Sequence, residues 1–304
     1  MTMKALRFHE YGEPDVLVVE NVPRPTPDSH AVLVKVAASS FNPADVALRS
    51  GAFAEMLPLD LPHTLGMDVA GTVVDVGAQV TGTAVGDHVI AFLSPDMTGA
   101  AAEYVVVPES LLARAPSSIP LPDSAAFPST AITAWQALFE HGRLQSGQRV
   151  LVCGAGSVVG SYAVQLAVSA GANVIAYAGP GSIDRVAGYG ASAVIDYSAQ
   201  AVASAVPPLV DLVVNFAPST VEELAPLVRD GGRLVSGSTP VDGARSEITA
   251  IRMAAHPDAE RLAWLVDEVD AGRLALNISD RRPLEEATAV HSSRERGKTL
   301  LIPN

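Results

Sequence analysis

The apolar run Val150-Leu151-Val152-Cys153 ends in Gly154-Ala155-Gly156-Ser157-Val158-Val159-Gly160, and Ser161-Tyr162-Ala163-Val164-Gln165-Leu166-Ala167 continues as a helical pattern. A buried strand that feeds a helix through glycines marks a crossover α/β unit. The same turn brings backbone N–H groups and a positive helix end up to a pyrophosphate, so a dinucleotide cofactor is the first expectation. The spacing is G-x-G-x-x-x-G in place of G-x-G-x-x-G, with Val159 where the third glycine is usual and Gly160 after it. A tight strand-to-helix turn with no ligand gives the same string, so the remainder of the chain has to decide.

The first 120 or so residues read as β. Val16–Glu20, Ala31–Ala38, Val69–Val76, His88–Phe92 and Ala102–Val107 are Val-rich and bounded by Gly, Pro and Asp, which predicts a small, partly closed barrel. The character changes near Pro120–Asp123. One or two helices are expected over Ser124–His141, followed by strands at Val150–Cys153, Asn173–Tyr177, Ala193–Ile195, Leu209–Asn215 and Arg233–Ser236. Helical patterns fall between them at Gly160–Ala170, Ser182–Tyr189 and Thr220–Leu227, with Gly171 and Gly190 where C-caps belong. That alternation predicts a doubly wound parallel sheet. The tail reads as a helix at Ala259–Ala271, a short strand at Leu274–Ile278, a helix from Leu284 and a closing strand at Lys298–Ile302, so the chain is expected to return to its first domain.

At 304 residues the chain is long enough for two cores, and 48% hydrophobic with 17% charged residues argues against extended disorder. A net charge of −13 disfavours nucleic acid or an anionic membrane as partner. Cys153 is the one cysteine, which excludes an intrachain disulfide and a cysteine-built zinc site. No apolar run approaches the roughly 20 residues that span a bilayer. The opening Met1-Thr2-Met3-Lys4-Ala5 is not signal-like, and the cytoplasm is the expected address.

Several strings together resemble the medium-chain dehydrogenase/reductase superfamily, on its zinc-independent quinone-oxidoreductase-like branch. They are Met3-Lys4-Ala5-Leu6-Arg7-Phe8-His9-Glu10-Tyr11-Gly12, Phe41-Asn42-Pro43-Ala44-Asp45, Leu65-Gly66-Met67-Asp68-Val69-Ala70-Gly71, Val85-Gly86-Asp87-His88-Val89 and Ala102-Glu103-Tyr104-Val105-Val106-Val107-Pro108. Thr133-Ala134-Trp135-Gln136-Ala137-Leu138, Asp230-Gly231-Gly232-Arg233-Leu234-Val235 and Gly297-Lys298-Thr299-Leu300-Leu301-Ile302-Pro303 continue the match in the same order. The resemblance implies an α/β protein: a GroES-like β-barrel domain built from both chain ends, residues 1–122 and 268–304, and an inserted Rossmann domain over residues 123–267. It also implies an active site in the cleft between them, NADPH as hydride source and a homodimer.

Zinc enzymes of the superfamily have cysteine where this chain has Asn42, and Gly-His-Glu where it has Gly66-Met67-Asp68. His63 and His88 are isolated, so the chemistry is expected to run without a metal. An NAD site usually has an acid about 20 residues past the glycines. Here Ala176-Tyr177-Ala178-Gly179 stands at that point and the next carboxylate along the chain is Asp184, which favours NADPH. Relatives often have lysine where this chain has Ser182. Ser182 with the Gly179–Ser182 amides and Arg185 could hold the 2′-phosphate, with Tyr197 matching a family tyrosine nearby. Ser182 serves equally as a plain helix cap. The cofactor-binding candidates are thus Gly154, Ala155, Gly156, Ser157, Val158, Val159, Gly160, Gly179, Ser182, Arg185, Tyr197 and Asn215. Ser157 and Val158 depart from the commonest glycines of the turn.

The expected reaction is hydride transfer from NADPH to a quinone or an α,β-unsaturated carbonyl compound, with the protein stabilising the developing oxyanion. Asn42 is the candidate donor, or else an Asn-Pro turn residue. Thr133 matches a family threonine near the nicotinamide, and Asp45 orients Asn42 or caps the helix after Pro43. Phe53 stands where some enoyl reductases have an acidic tyrosine, and Tyr104 reads as packing, so no proton donor is named. The six tyrosines offer no Tyr-x-x-x-Lys pair and no G-x-S-x-G elbow is present. An isomerase or cyclase on the same fold, or a protein that holds the cofactor without turnover, is the alternative.

Overall fold

The computed structural model describes residues 1–205, 209–293 and 297–303. The chain divides into two compact units, Met1–Ser129 with Pro257–Gly272 and Leu276–Asn304, and Thr130–His256 with Arg273–Ala275.

In the second unit six parallel strands lie in the order Ala193–Asp196, Asn173–Ala178, Arg149–Cys153, Val210–Asn215, Val228–Ser236, Thr249–Arg252. Counted along the chain that order is 3-2-1-4-5-6, the doubly wound arrangement whose ligand crevice opens at the switch between strands 1 and 4. Arg149–Cys153 sits at that switch. Val150, Leu151, Val152 and Cys153 are fully buried because layers cover both faces of the central strand, hence its unbroken apolar run. Leu151, Cys153, Val213, Leu224, Val228 and Leu234 share one core cluster.

The first unit is β-rich. Leu17–Pro23, Thr2–Phe8 and His63–Thr64 make a three-stranded antiparallel sheet. A mixed sheet runs Ile278–Pro283, Lys298–Ile302, Ala31–Ser40, Asp68–Val76, His88–Phe92, Leu112–Arg114, and Tyr104–Pro108 also pairs with Ala31–Ser40. Its core is the inward valines Val32, Val34, Val36, Val69, Val73, Val89, Val105 and Val107. The C-terminal strand joins the N-terminal ones, so this barrel-like unit is made from both ends of the chain.

The unit boundaries fall away from 122/123 and 267/268. Helix Ala259–Asp270 belongs to the barrel unit because Asp270 ties it there: Oδ1 accepts the Ser117 and Ser118 amides at 2.8 and 2.9 Å, and Arg114 reaches Oδ2 at 3.4 Å. Arg273–Ala275 alone rejoins the nucleotide unit, through a paired amide contact of Gln165 with Ala275 at 3.2 and 2.7 Å. The late strand is Ile278–Pro283 and not Leu274–Ile278, since Leu274 is a buried core residue and the polar Ser279-Asp280-Arg281 sits on the sheet edge. Ser124–His141 resolves into a 3₁₀ turn at Leu121–Ala126, an α-helix at Pro128–Trp135 and a π-helical turn at Gln136–His141.

Candidate functional site

Gly154 leaves the central strand at φ +76°, where a Cβ would lie 2.8 Å from the Phe216 carbonyl oxygen. The backbone reverses there, with the Gly154 and Ala155 amides both donating to the Tyr177 carbonyl at 3.1 and 3.0 Å. Helix Val158–Ser169 then begins with Ser157 as its N-cap, whose Oγ accepts the Gly160 amide at 3.0 Å. Accepting that bond leaves the Ser157 O–H as a donor. The amides of Val158 and Val159 are first-turn groups with no carbonyl inside the helix, so they point out of its positive end. Gly160 is required for packing: a Cβ there would lie 2.1 Å from the Gly154 carbonyl oxygen, so the displaced third glycine still lets helix and strand close together. First-turn amides and a serine hydroxyl at the start of a helix are the donor set a pyrophosphate calls for.

Gly179, Ser182, Arg185 and Tyr197 gather at the end of the neighbouring strand Asn173–Ala178. Ser182 is buried and its Oγ donates to the Gly179 carbonyl at 2.9 Å, while Tyr197 packs over Gly179, leaving 2.8 Å between its hydroxyl and an added Cβ. Arg185 donates to the Gly156 carbonyl at 2.9 Å and so fastens this loop to the glycine turn. Sequence reading missed Asp196, which the sheet brings beside Ala178 by strand pairing, out of sight of a search along the chain. Its Oδ1 is taken up by the Ser198 amide and hydroxyl at 2.8 and 2.7 Å. Asn215 is fully buried and latches two loops: Nδ2 donates to the Ser219 carbonyl at 3.1 Å and to Thr239 Oγ1 at 3.0 Å, and Oδ1 accepts the Ala217 amide at 3.1 Å.

In the barrel unit a second cluster assembles from distant parts of the chain. Asn42 is the N-cap residue of helix Pro43–Ser50, and its amide N–H donates to Asp45 Oδ2 at 2.7 Å. Asn42 Nδ2 donates to Asp68 Oδ2 at 2.9 Å and, weakly, to the Ser40 carbonyl at 3.5 Å. Its Oδ1 accepts Lys298 Nζ at 2.6 Å. The Asp68 carboxylate is wholly buried and also accepts Ser40 Oγ at 2.5 Å, the Ser129 amide at 2.6 Å, Ser129 Oγ at 2.9 Å and Lys298 Nζ at 3.1 Å. Burial pushes the Asp68 carboxyl up, but the ammonium and the hydrogen bonds from Asn42, Ser40 and Ser129 outweigh it and hold the group below its ordinary range. Asp45 has no such support. Its Oδ1 makes no full hydrogen bond, and burial pushes the carboxyl up to about 7 against the pull of the Asn42 amide and of Lys298.

The Asn42 amide is engaged inside the barrel unit, and of its N–H contacts the long one to the Ser40 carbonyl is the one easily given up. Asp45 both caps the helix and holds Asn42. Thr133 is half-buried on helix Pro128–Trp135, in the other unit. Phe53 packs against the Leu6 and Phe8 core, and Tyr104 lies under Arg24, 4.0 Å from ring centroid to guanidinium. Lys298 was read only as the start of a strand, and a lysine there gives no sign of being buried.

The set Asn42, Met67 and Asp68 does not suit zinc: it offers neither thiolate nor imidazole, and the Asn42 and Asp68 oxygens already accept the Lys298 ammonium at 2.6 and 3.1 Å. Among the described residues no group of three or more His, Cys, Asp or Glu could hold a metal ion. His63 is buried edge-on to Phe8, its ring nitrogens held below their ordinary range by burial and Arg7. Among the described residues no helix is long and apolar enough to cross a membrane.

Residues 28–117 match the alcohol dehydrogenase GroES-like domain, and residues 189–301 match the zinc-binding dehydrogenase domain. A quinone-oxidoreductase homolog of spinach chloroplasts is 38% identical over 64% of this chain and 61% of its own length. The chloroplast envelope quinone oxidoreductase homolog of Arabidopsis thaliana is 34% identical over 94% of this chain and 92% of its own, and an NADPH-dependent alkenal/one oxidoreductase of that plant is 33% identical over 99% and 80%. Among solved structures the quinone oxidoreductase of Coxiella burnetii superposes with a TM-score of 0.91 at 27% identity over 99% of both chains, and an NAD-dependent alcohol dehydrogenase with 0.88 at 30% over 99% of both. Members of this family use nicotinamide cofactors. With the likeness extending along nearly the whole length, in sequence and in fold, the chain is an oxidoreductase of the medium-chain dehydrogenase/reductase superfamily, akin to its quinone oxidoreductases.

Proposed function

We propose that this oxidoreductase takes NADPH and reduces a quinone or an α,β-unsaturated carbonyl compound without zinc. The observation that carries the reading is the glycine turn at the sheet switch, where the Val158 and Val159 amides and the Ser157 hydroxyl leave the start of a capped helix. These groups would hold the pyrophosphate. Gly179, Ser182, Arg185 and Tyr197 would hold the 2′-phosphate, while the nearby Asp196 carboxylate is turned to the Ser198 amide and hydroxyl. When bound, the cofactor supplies the hydride. Asn42 is the side chain assigned to the developing oxyanion, through the N–H whose present partner is the distant Ser40 carbonyl; Asp68 and Lys298 fix its direction. Thr133 is assigned to the nicotinamide side. Similarity to quinone and alkenal/one oxidoreductases supports the acceptor class. A homodimer in the cytoplasm belongs to the same proposal.

The test is NADPH consumption by purified protein across a panel of quinones and enones, with and without a strong chelator. Turnover with at least one class, unchanged by chelation, is expected. No turnover with either class overturns the reductase reading, and loss on chelation overturns its zinc independence.

A further inference from the structure

Lys298 is 2% exposed and Asp68 is 0% exposed, so the ion pair at 3.1 Å is sealed from water. Burying an ammonium costs several kilocalories per mole unless its partners are well placed. Here they are: a carboxylate oxygen and an amide oxygen on the cation, and on the same carboxylate Ser40, Asn42 and both donors of Ser129. The Asn42 amide spans the pair, its Nδ2 donating to Asp68 and its Oδ1 accepting from Lys298. Turned by half a rotation it would set N–H groups against an ammonium and oxygen against a carboxylate, so one orientation is strongly selected.

We propose that Lys298 is the built-in cation of this centre, a positioning residue that stands in for a metal ion: its ammonium balances Asp68, fixes the direction of the Asn42 amide and excludes a divalent cation. The role is set by charge at a defined point, not by the bulk of the side chain. It does not depend on the identity of the acceptor or on the cofactor.

Lys298→Ala removes four heavy atoms, which propylammonium replaces and which 1-propanol matches in size without the charge. The variant is expected to melt on the order of 10 °C lower than the parent. Millimolar propylammonium should return most of that loss, and 1-propanol at the same concentration should not. Equal rescue by both, or rescue by neither, overturns the proposal. Should Lys298→Ala fail to fold, the pair Lys298→Met and Lys298→Met/Asp68→Asn decides: removing both charges is expected to recover more than half of what Lys298→Met loses, and a double variant no better than Lys298→Met overturns the charge argument. Cobalt(II) added to the unaltered protein should give none of the intense visible bands of a tetrahedral site; their appearance, with loss on Asp68→Asn, would show that the ammonium does not exclude metal.

Discussion

Asp45 is the one carboxyl of the buried cluster whose charge is poorly met, and the consequence can be measured. Unfolded, an aspartate titrates near 3.9; folded, Asp45 is raised to about 7. Between those values the folded chain keeps a proton that the unfolded chain has lost. The contribution of Asp45 to stability therefore falls as pH rises from about 4 to about 7, by up to roughly 4 kcal/mol, and stays flat above. His291 runs the other way. Burial, with the Arg49 charge, lowers it to about 4, so its contribution is lost as pH falls through roughly 6.5 to 4. The raw profile mixes the two, so the comparison is with Asp45→Asn, which keeps an acceptor for the Asn42 amide. Denaturant unfolding of both proteins should show the variant gaining on the parent by a few kcal/mol between about pH 4 and 7; a constant difference contradicts the buried-carboxyl account. At this scale the sequence was only partly legible. Asn42 and Asp68 stood out by comparison with the zinc enzymes and Asp45 by its place after Asn42-Pro43, whereas Ser40, Ser129 and Lys298 are ordinary residues until folding brings them to one carboxylate across up to 230 positions.

Among elements, the central strand and the helix after it were readable because burial on both faces leaves an unbroken apolar run, and the turn between them needs glycine for steric reasons that composition exposes. Four strands escaped notice, and His63–Thr64 and Leu112–Arg114 are too short to show a period. Thr2–Phe8 carries Lys4 and Arg7 among its apolar residues, and Thr249–Arg252 is a short edge strand with intermediate exposure. The π-helical turn at Gln136–His141 was also invisible. Its anchor is a long-range one, the buried Gln136 amide exchanging hydrogen bonds with the His256 backbone at 3.0 and 3.2 Å. The displaced glycine gives a prediction. Gly160→Ala places a methyl 2.1 Å from a backbone carbonyl oxygen, so helix and strand must separate. The variant should lose about 1–3 kcal/mol in unfolding experiments and bind the nicotinamide cofactor more weakly. Gly181→Ala, with nothing within 4 Å of the added carbon, is the control for unfolding and should leave stability nearly unchanged. Equal behaviour of the two would mean that Gly160 does not set the turn.

For the whole molecule, the order of β and α patterns was enough to predict a parallel-sheet unit inserted into a barrel-like one, because each element type announces itself by its hydrophobic period. Where the units divide was not legible. Helix Ala259–Asp270 has an amphipathic pattern that fits either neighbour, and contacts such as those of Asp270 with Ser117, Ser118 and Arg114 assign it. The acceptor was not legible either, since substrate walls come from irregular segments that no periodic rule constrains. The proposed chemistry is hydride transfer, with the Lys298 ammonium proposed as the charge that takes a metal's place. The most direct test is the fate of the hydride. With NADPH deuterated at the transferring C4 position and an α,β-enone as acceptor, the account predicts a saturated product carrying one deuterium at the β-carbon, unchanged by a chelator. A saturated product without that label, or rearrangement of the enone with the NADPH left intact, would contradict it.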